Sequence, residues 1–181
     1  AAAPNVLLRP IELNTASGTL YGSLVLPKSD KPVPVVLIIA GSGPTDRDGN
    51  NTQAGRNDGL KKLAWRLAQS NIASVRFDKR GIAQSLPAAP DERTLTLDQY
   101  VTDAVAWGQQ LKADPRFGDV YVLGHSEGAL IASLAAPRMD ATGVISIAGT
   151  ARPVGQVLRE QLQRNHLPPS LLQRSFELIH T

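Results

Sequence analysis

The chain has 181 residues, a net charge of +3 and 42% hydrophobic residues, which suits one globular domain with a buried core. Its Lys and Arg residues are scattered among acidic ones without a basic run, so no nucleic-acid partner is expected. The chain has no cysteine, which excludes disulfides, cysteine-based metal sites and a thiol nucleophile, and its longest apolar run is too short to span a bilayer.

Two strands joined by a short turn open the chain. They are predicted over residues 6–14 and 19–27, and alternating apolar residues in the second favour an antiparallel hairpin. Residues 34–40 are apolar throughout, as expected of a parallel strand that is covered on both faces. The hairpin is therefore expected to lead into the buried centre of a sheet.

Helices and strands alternate along the next part of the chain. The predicted elements are a helix over residues 58–71, a strand over 73–78, a helix over 97–111, a strand over 119–123, a helix over 129–136 and a strand over 143–147. Pro137 is expected to stop the third of these helices. Strands alternating with helices predict a mainly parallel sheet with helices on both faces.

The most informative motif is the G-x-S-x-G stretch at residues 124–128, centred on Ser126. The strand before it and the helix after it provide the strand–turn–helix context of a nucleophile elbow. Gly124 and Gly128 leave room for a strained turn, which pushes the Ser126 hydroxyl out at the carboxyl edge of the sheet. The N-terminus of the following helix would stabilise negative charge that develops nearby.

Two further motifs complete a family resemblance. Residues 40–44 follow the buried strand and are similar to an oxyanion loop, with Ala40 where many members have His. Residues 77–85 are similar to a D-x-R-G-x-G-x-S turn, with Ala83 in place of the second Gly. With the hairpin and the elbow, these motifs make the chain resemble the α/β-hydrolase fold over residues 6–148, in particular bacterial esterase-like members.

The resemblance implies the fold class: an α/β, mainly parallel sheet with an N-terminal antiparallel hairpin and helices on both faces. It also implies that Ser126 is a nucleophile for acyl transfer. The oxyanion hole would consist of the backbone N–H of Glu127 and that of Ser42 or of its neighbour Gly43. One such donor is typically worth about 3 kcal/mol, because negative charge develops on the carbonyl oxygen.

The loop beside the oxyanion residues offers further candidates. Asp46 and Arg47 are expected to line the mouth of the pocket, where they can contact a polar substrate. No metal is expected there, because the loop lacks the Gly and Glu positions of an EF-hand. No cofactor is expected; in particular, a nucleotide site is not expected, because no G-K-[ST] follows the glycines of the oxyanion loop. Asp78 and Arg80 are expected to be structural, pairing with loop backbone and with each other.

The acid and the base of a triad are missing from this sequence. In the family they follow the nucleophile on later strands, in the order Ser, Asp or Glu, His. After Ser126 the chain offers one predicted strand and then two helices, which place His166 and His180 in a segment similar to a helical cap. Asp140 is expected to be a turn residue.

We therefore expect residues 1–150 to be the N-terminal part of an α/β-hydrolase core and residues 151–181 to be the start of a cap or lid. The C-terminal strands would be absent. An open sheet edge predicts a partner, either the missing C-terminal half or a second copy of the chain.

The predicted function is a serine hydrolase that cleaves a small-molecule carboxylic ester through an acyl-enzyme. The alternatives are a thioesterase or serine peptidase of the same fold, or a non-catalytic binding protein if the chain is complete. The N-terminal sequence Ala1-Ala2-Ala3-Pro4 fits a mature end left by signal peptidase, and thus a periplasmic or secreted protein. It fits equally well the boundary of a cloned segment from a cytoplasmic protein.

Overall fold

The computed structural model describes residues 6–41, 47–48, 59–79, 82–88 and 97–147. The elements, in chain order, are β1 (Val6–Thr15), β2 (Gly18–Pro27), β3 (Val33–Ile39), α1 (Gly59–Gln69), β4 (Ala73–Phe77), a 3-10 helix (Ala83–Ala88), α2 (Leu97–Lys112), β5 (Phe117–His125), α3 (Glu127–Met139) and β6 (Gly143–Ile147). The predictions that lie outside the described residues are those for Ser42, Gly43, Asp46, Arg80, His166, His180 and the cap at 151–181.

Six strands form one sheet in the order β1-β2-β4-β3-β5-β6. The strands β1 and β2 pair antiparallel from Val6↔Pro27 to Thr15↔Gly18, and β2 also runs antiparallel to β4. The strands β3, β4, β5 and β6 are parallel to one another. The predicted fold class, a mainly parallel sheet that starts with an antiparallel hairpin, is thereby confirmed.

Helices cover both faces of this sheet. Side chains of β3 alternate between two hydrophobic clusters, as the two-residue period of a strand requires. Leu37 packs in the cluster that contains Trp107 of α2 and Ile131 of α3, whereas Ile38 packs in the cluster that contains Leu60 of α1. Among the described residues, no helix combines the length and the apolar character that a bilayer span requires.

Pro137 does not stop α3, and this prediction was wrong. The helix continues to Met139, with Pro137 in its last turn, and ends at Asp140 in a left-handed conformation with φ 54°. The N–H of Ala141 then closes the end by donating to the carbonyl of Ala136 at 3.0 Å. A proline removes only one N–H donor, so a helix that is already near its cap can pass through it. The predicted turn role of Asp140 is confirmed.

Candidate active site

Ser126 joins the carboxyl end of β5 to the first residue of α3. Its φ of 57° and ψ of −119° are unusual for a residue with a side chain, and the side chain is exposed. The Ser126 N–H donates to the carbonyl of Ile147 at 2.7 Å, and the Ser126 carbonyl accepts from Ala129 at 2.9 Å. These bonds from β6 and α3 hold the strained residue in place.

The two glycines of the motif are required by close backbone packing. A Cβ on Gly124 would lie 2.2 Å from the carbonyl oxygen of Gly128, and a Cβ on Gly128 would lie 2.5 Å from that of Ile39. Both distances are far below van der Waals contact, and both involve backbone atoms that cannot rotate away. The strand, sharp turn and helix predicted around Ser126 are confirmed.

The end of β3 lies against this turn. A Cβ on Gly41 would be 3.5 Å from the Cβ of Ser126 and 3.1 Å from Nδ1 of His125. The chain therefore enters the predicted oxyanion loop directly beside Ser126. Burial lowers the pKa of His125, because a charged imidazole would lose solvation there.

Lys79 is a buried cation next to the same turn. Only 5% of this residue is exposed, and its Nζ donates to the carbonyl of Gly41 and lies 5.7 Å from the centre of the Tyr100 ring. Burial lowers the pKa of Lys79, and the Glu127 carboxylate opposes that shift because it favours the charged ammonium. A lysine and a glutamate of opposite charge thus flank the start of α3.

Two residues of the motif at 77–85, Asp78 and Ser85, hydrogen-bond the backbone of β2. The N–H of Asp78 donates to the carbonyl of Tyr21 at 2.9 Å, and the N–H of Tyr21 donates to Oγ of the fully buried Ser85 at 3.0 Å. Ala83, which stands where similar turns have Gly, has a φ of 45°. A left-handed conformation costs an alanine about 1 kcal/mol, which explains the preference for Gly at this position.

Arg47 and Asp78 form the main ion pair of this turn. Asp78 Oδ1 accepts from the backbone N–H of Arg47 at 2.9 Å, and Asp78 Oδ2 accepts from Arg47 Nη2 at 2.7 Å. The same guanidinium also contacts Ser23 and Gln84. The predicted pairing of Asp78 with loop backbone is confirmed. The Arg47 guanidinium is held within the fold, and its contact with a substrate stays a prediction.

Asp78→Asn is expected to destabilise the protein by about 2–4 kcal/mol, because it leaves the guanidinium of Arg47 without a charged partner. The side chains of the pair are only 13% and 3% exposed. The measurement is the urea midpoint of unfolding. The matched control is Asp114→Asn, whose carboxylate lies 2.6 Å from the half-exposed Arg116 and should matter by no more than about 1 kcal/mol. Equal effects of the two substitutions would contradict the structural role of Asp78.

A cavity of about 520 Å³ is lined by residues of β1, β2 and α1 and by Arg47 and Asp48. Its walls include Ile11, Arg47, Asp48 and Trp65, and Ser126 is not among the lining residues. The cavity is therefore distinct from the surface around the strained serine.

The comparisons with known proteins agree with this geometry. The family model described as serine aminopeptidase, S33 (Hydrolase_4), matches residues 50–174. The chain belongs to this family of α/β-hydrolases. Esterase EstD from Thermotoga maritima is 36% identical over 145 residues, which make up 80% of this chain and 34% of that protein. The chain thus spans about a third of the length of this curated relative.

Solved α/β-hydrolases share the fold. XC6422 from Xanthomonas campestris, an α/β serine hydrolase without a lid, matches with a TM-score of 0.59 and 23% identity, over 81% of this chain and 62% of that one. Est1E from Butyrivibrio proteoclasticus, solved with ferulic acid bound, matches with a TM-score of 0.58 and 21% identity, over 74% of this chain and 50% of that one. At these identities the likeness concerns the fold alone.

Sequence reasoning missed one residue at the site of this α/β-hydrolase. Lys79 fell in a predicted turn, and a lysine in a turn normally suggests solvent exposure. The position of Lys79 in the sequence could have identified it as a residue of the site, because it lies two residues after a fully buried strand and directly after Asp78. Because the carboxyl ends of parallel strands meet at one edge of a sheet, that position brings Lys79 close to the end of β3.

Proposed function

We propose that the full-length protein hydrolyses carboxylic esters through an acyl-enzyme formed on Ser126. The observation that carries this proposal is the backbone of Ser126. It has a φ of 57° between two glycines that tolerate no Cβ, and it presents an exposed hydroxyl at the start of a helix. Strain of this kind at an exposed nucleophilic side chain favours catalysis over packing.

In the proposed reaction, a general base takes the proton of Ser126 Oγ as this oxygen attacks the ester carbonyl and forms a tetrahedral intermediate. Collapse of the intermediate breaks the bond to the alkoxy oxygen, and the protonated base gives its proton to the departing alcohol. The base then takes a proton from water as the water attacks the acyl-enzyme, which releases the carboxylic acid, and the proton returns to Ser126 Oγ. The N–H of Ser126 already donates to Ile147, so the oxyanion donors are assigned to Glu127 and to Ser42 or Gly43.

The general base and its orienting acid are assigned to residues that follow this segment in the full-length protein. Esterase EstD supports this assignment, because the present chain aligns with only 34% of its length. A serine hydroxyl needs such a base, since its own pKa leaves it protonated at neutral pH.

A serine aminopeptidase is the second candidate, and the description of the matching family model favours it. The same Ser126 chemistry would then break an amide bond next to a free amino group. Turnover of aminoacyl p-nitroanilides separates the two candidates, because a serine esterase and a serine peptidase both cleave activated p-nitrophenyl esters. We expect the esters to be cleaved and the anilides to be left intact.

Labelling with a fluorophosphonate tests the nucleophile directly. The full-length protein is expected to gain one phosphonyl adduct, located by peptide mass spectrometry on the peptide that contains Ser126. The reason is that only an activated serine attacks the phosphorus at a useful rate. The control is the same protein denatured by heat, which should stay unlabelled. An adduct on another serine in a preparation that is active on esters would overturn the assignment.

A further inference from the structure

We propose that Lys79 is a positioning residue for the oxyanion hole: its ammonium holds the Gly41 carbonyl and thereby aims the N–H of Ser42. This inference rests on the proposed function, because it assigns Lys79 a task in the reaction of Ser126. The contact that carries it is the hydrogen bond from Lys79 Nζ to the Gly41 carbonyl oxygen.

The geometry of the peptide bond couples the Gly41 carbonyl to the Ser42 N–H. The Gly41 carbonyl and the Ser42 N–H belong to one peptide group, which is planar and has the two bonds pointing in opposite directions when trans. A hydrogen bond that fixes the carbonyl therefore also fixes the direction of the N–H. Without it, this peptide could rotate and turn the carbonyl oxygen toward the developing oxyanion, where like charges repel.

The position of Gly41 makes such a restraint useful. A Cβ on Gly41 would be 3.5 Å from the Cβ of Ser126, so this peptide begins next to the proposed nucleophile. Glycine allows a wide range of backbone conformations, and a loop that starts with glycine needs an external contact to hold one of them. Lys79 supplies that contact from a position two residues after the neighbouring parallel strand β4.

The burial of Lys79 points the same way. Only 5% of Lys79 is exposed, so its ammonium loses much of its hydration, and an apolar residue would usually serve stability as well or better. Two features compensate the charge, namely the Tyr100 ring at 5.7 Å and the carboxylate of Glu127. Tyr100 belongs to α2, whereas Glu127 is the first residue of α3 and directly follows Ser126, which places the cation at the site and not in a purely structural core.

The test is Lys79→Met in the full-length protein, because methionine keeps the length of the side chain and removes the donor. We expect kcat for a p-nitrophenyl ester to fall by about 10- to 100-fold, since loss of one oxyanion donor costs about 100- to 1000-fold and Lys79 acts through such a donor. KM should stay within about threefold. The preference for the ester over the matching thionoester should also fall, because sulfur accepts hydrogen bonds from an oxyanion hole poorly.

The matched control is Lys112→Met. Lys112 also donates from Nζ to a backbone carbonyl, that of Asp140 at 2.9 Å, but its side chain is exposed. This variant should keep the kcat and the ester preference of the original protein. If Lys79→Met does not fold, Lys79→Leu replaces it, because leucine also lacks a donor, and is judged by the same ester-to-thionoester ratio.

Three results would overturn the inference, and they separate it from the proposed function. If Lys79→Met keeps kcat within threefold while Ser126→Ala is inactive, Lys79 does not position the oxyanion hole, and the proposed function stands. If ester and thionoester turnover fall equally, the role of Lys79 is structural. If Ser126→Ala stays active, the proposed function fails and this inference fails with it.

Discussion

Ser126→Ala in the full-length protein is expected to lower kcat for ester hydrolysis by about 10⁴-fold or more. The substitution removes the oxygen that forms the acyl-enzyme, so that only the oxyanion donors and substrate binding remain to accelerate the reaction. The measurement is the initial rate on a p-nitrophenyl ester at saturating substrate. Labelling by fluorophosphonate should disappear together with turnover.

The stability of this variant should be nearly unchanged. The Ser126 side chain is exposed and makes no capping hydrogen bond with α3, so no buried group loses a partner. A full loss of turnover with an unchanged melting temperature would therefore show that the substitution affects the reaction and not the folding of the protein. The strained φ of 57° persists in the variant, because alanine and serine share the same Cβ.

Ser133→Ala is the matched control for this experiment. Ser133 lies on α3, is also exposed, and within the described part of the chain its Oγ donates to the carbonyl of Ala129 at 2.9 Å. We expect its kcat to equal that of the original protein within about twofold, as for surface substitutions away from a site. If Ser126→Ala kept more than a tenth of the original kcat, Ser126 would not be the nucleophile.

The order of the elements could be predicted from the sequence, because apolar periodicity distinguishes helix from strand. The prediction for β6 matches the structure at both ends, and the remaining strands and helices agree within a few residues. The strand β5 is longer than predicted, since it runs from Phe117 to His125. The glycines at positions 118 and 124 hid its ends, because glycine is normally unfavourable inside a strand.

The turn at Ser126 could be predicted because all of its parts lie within five consecutive residues. Contacts between distant residues could not be predicted in this way. Arg47 and Asp78 are 31 residues apart, and Lys79 and Gly41 are 38 residues apart, so that only the sheet brings each pair together. Composition and periodicity carry no information about which of many charged residues will meet across such distances.

Gly124→Ala should destabilise the protein by about 3 kcal/mol or more, which corresponds to a fall in melting temperature of roughly 6–12 °C. The added methyl would lie 2.2 Å from the carbonyl oxygen of Gly128 and 2.5 Å from the Cα of Ala129. Both contacts are with backbone, so the substitution can be accommodated only if the start of α3 moves away from β5. That movement would also displace Ser126 and lower the rate of fluorophosphonate labelling.

Gly118→Ala provides the matched control, because it makes the same change in the same strand. A Cβ on Gly118 would find its nearest neighbour, the carbonyl oxygen of Val33, at 3.9 Å, which is an ordinary contact. This variant should be as stable as the original protein or more stable by up to about 1 kcal/mol, because alanine lowers the entropy of the unfolded chain. Equal losses of stability in the two variants would mean that β5 tolerates a side chain at neither glycine. The close approach of β5 to α3 would then not be the reason why position 124 requires glycine. A loss confined to Gly124, with labelling lost in parallel, would tie the reactivity of Ser126 to the packing of the turn that presents it.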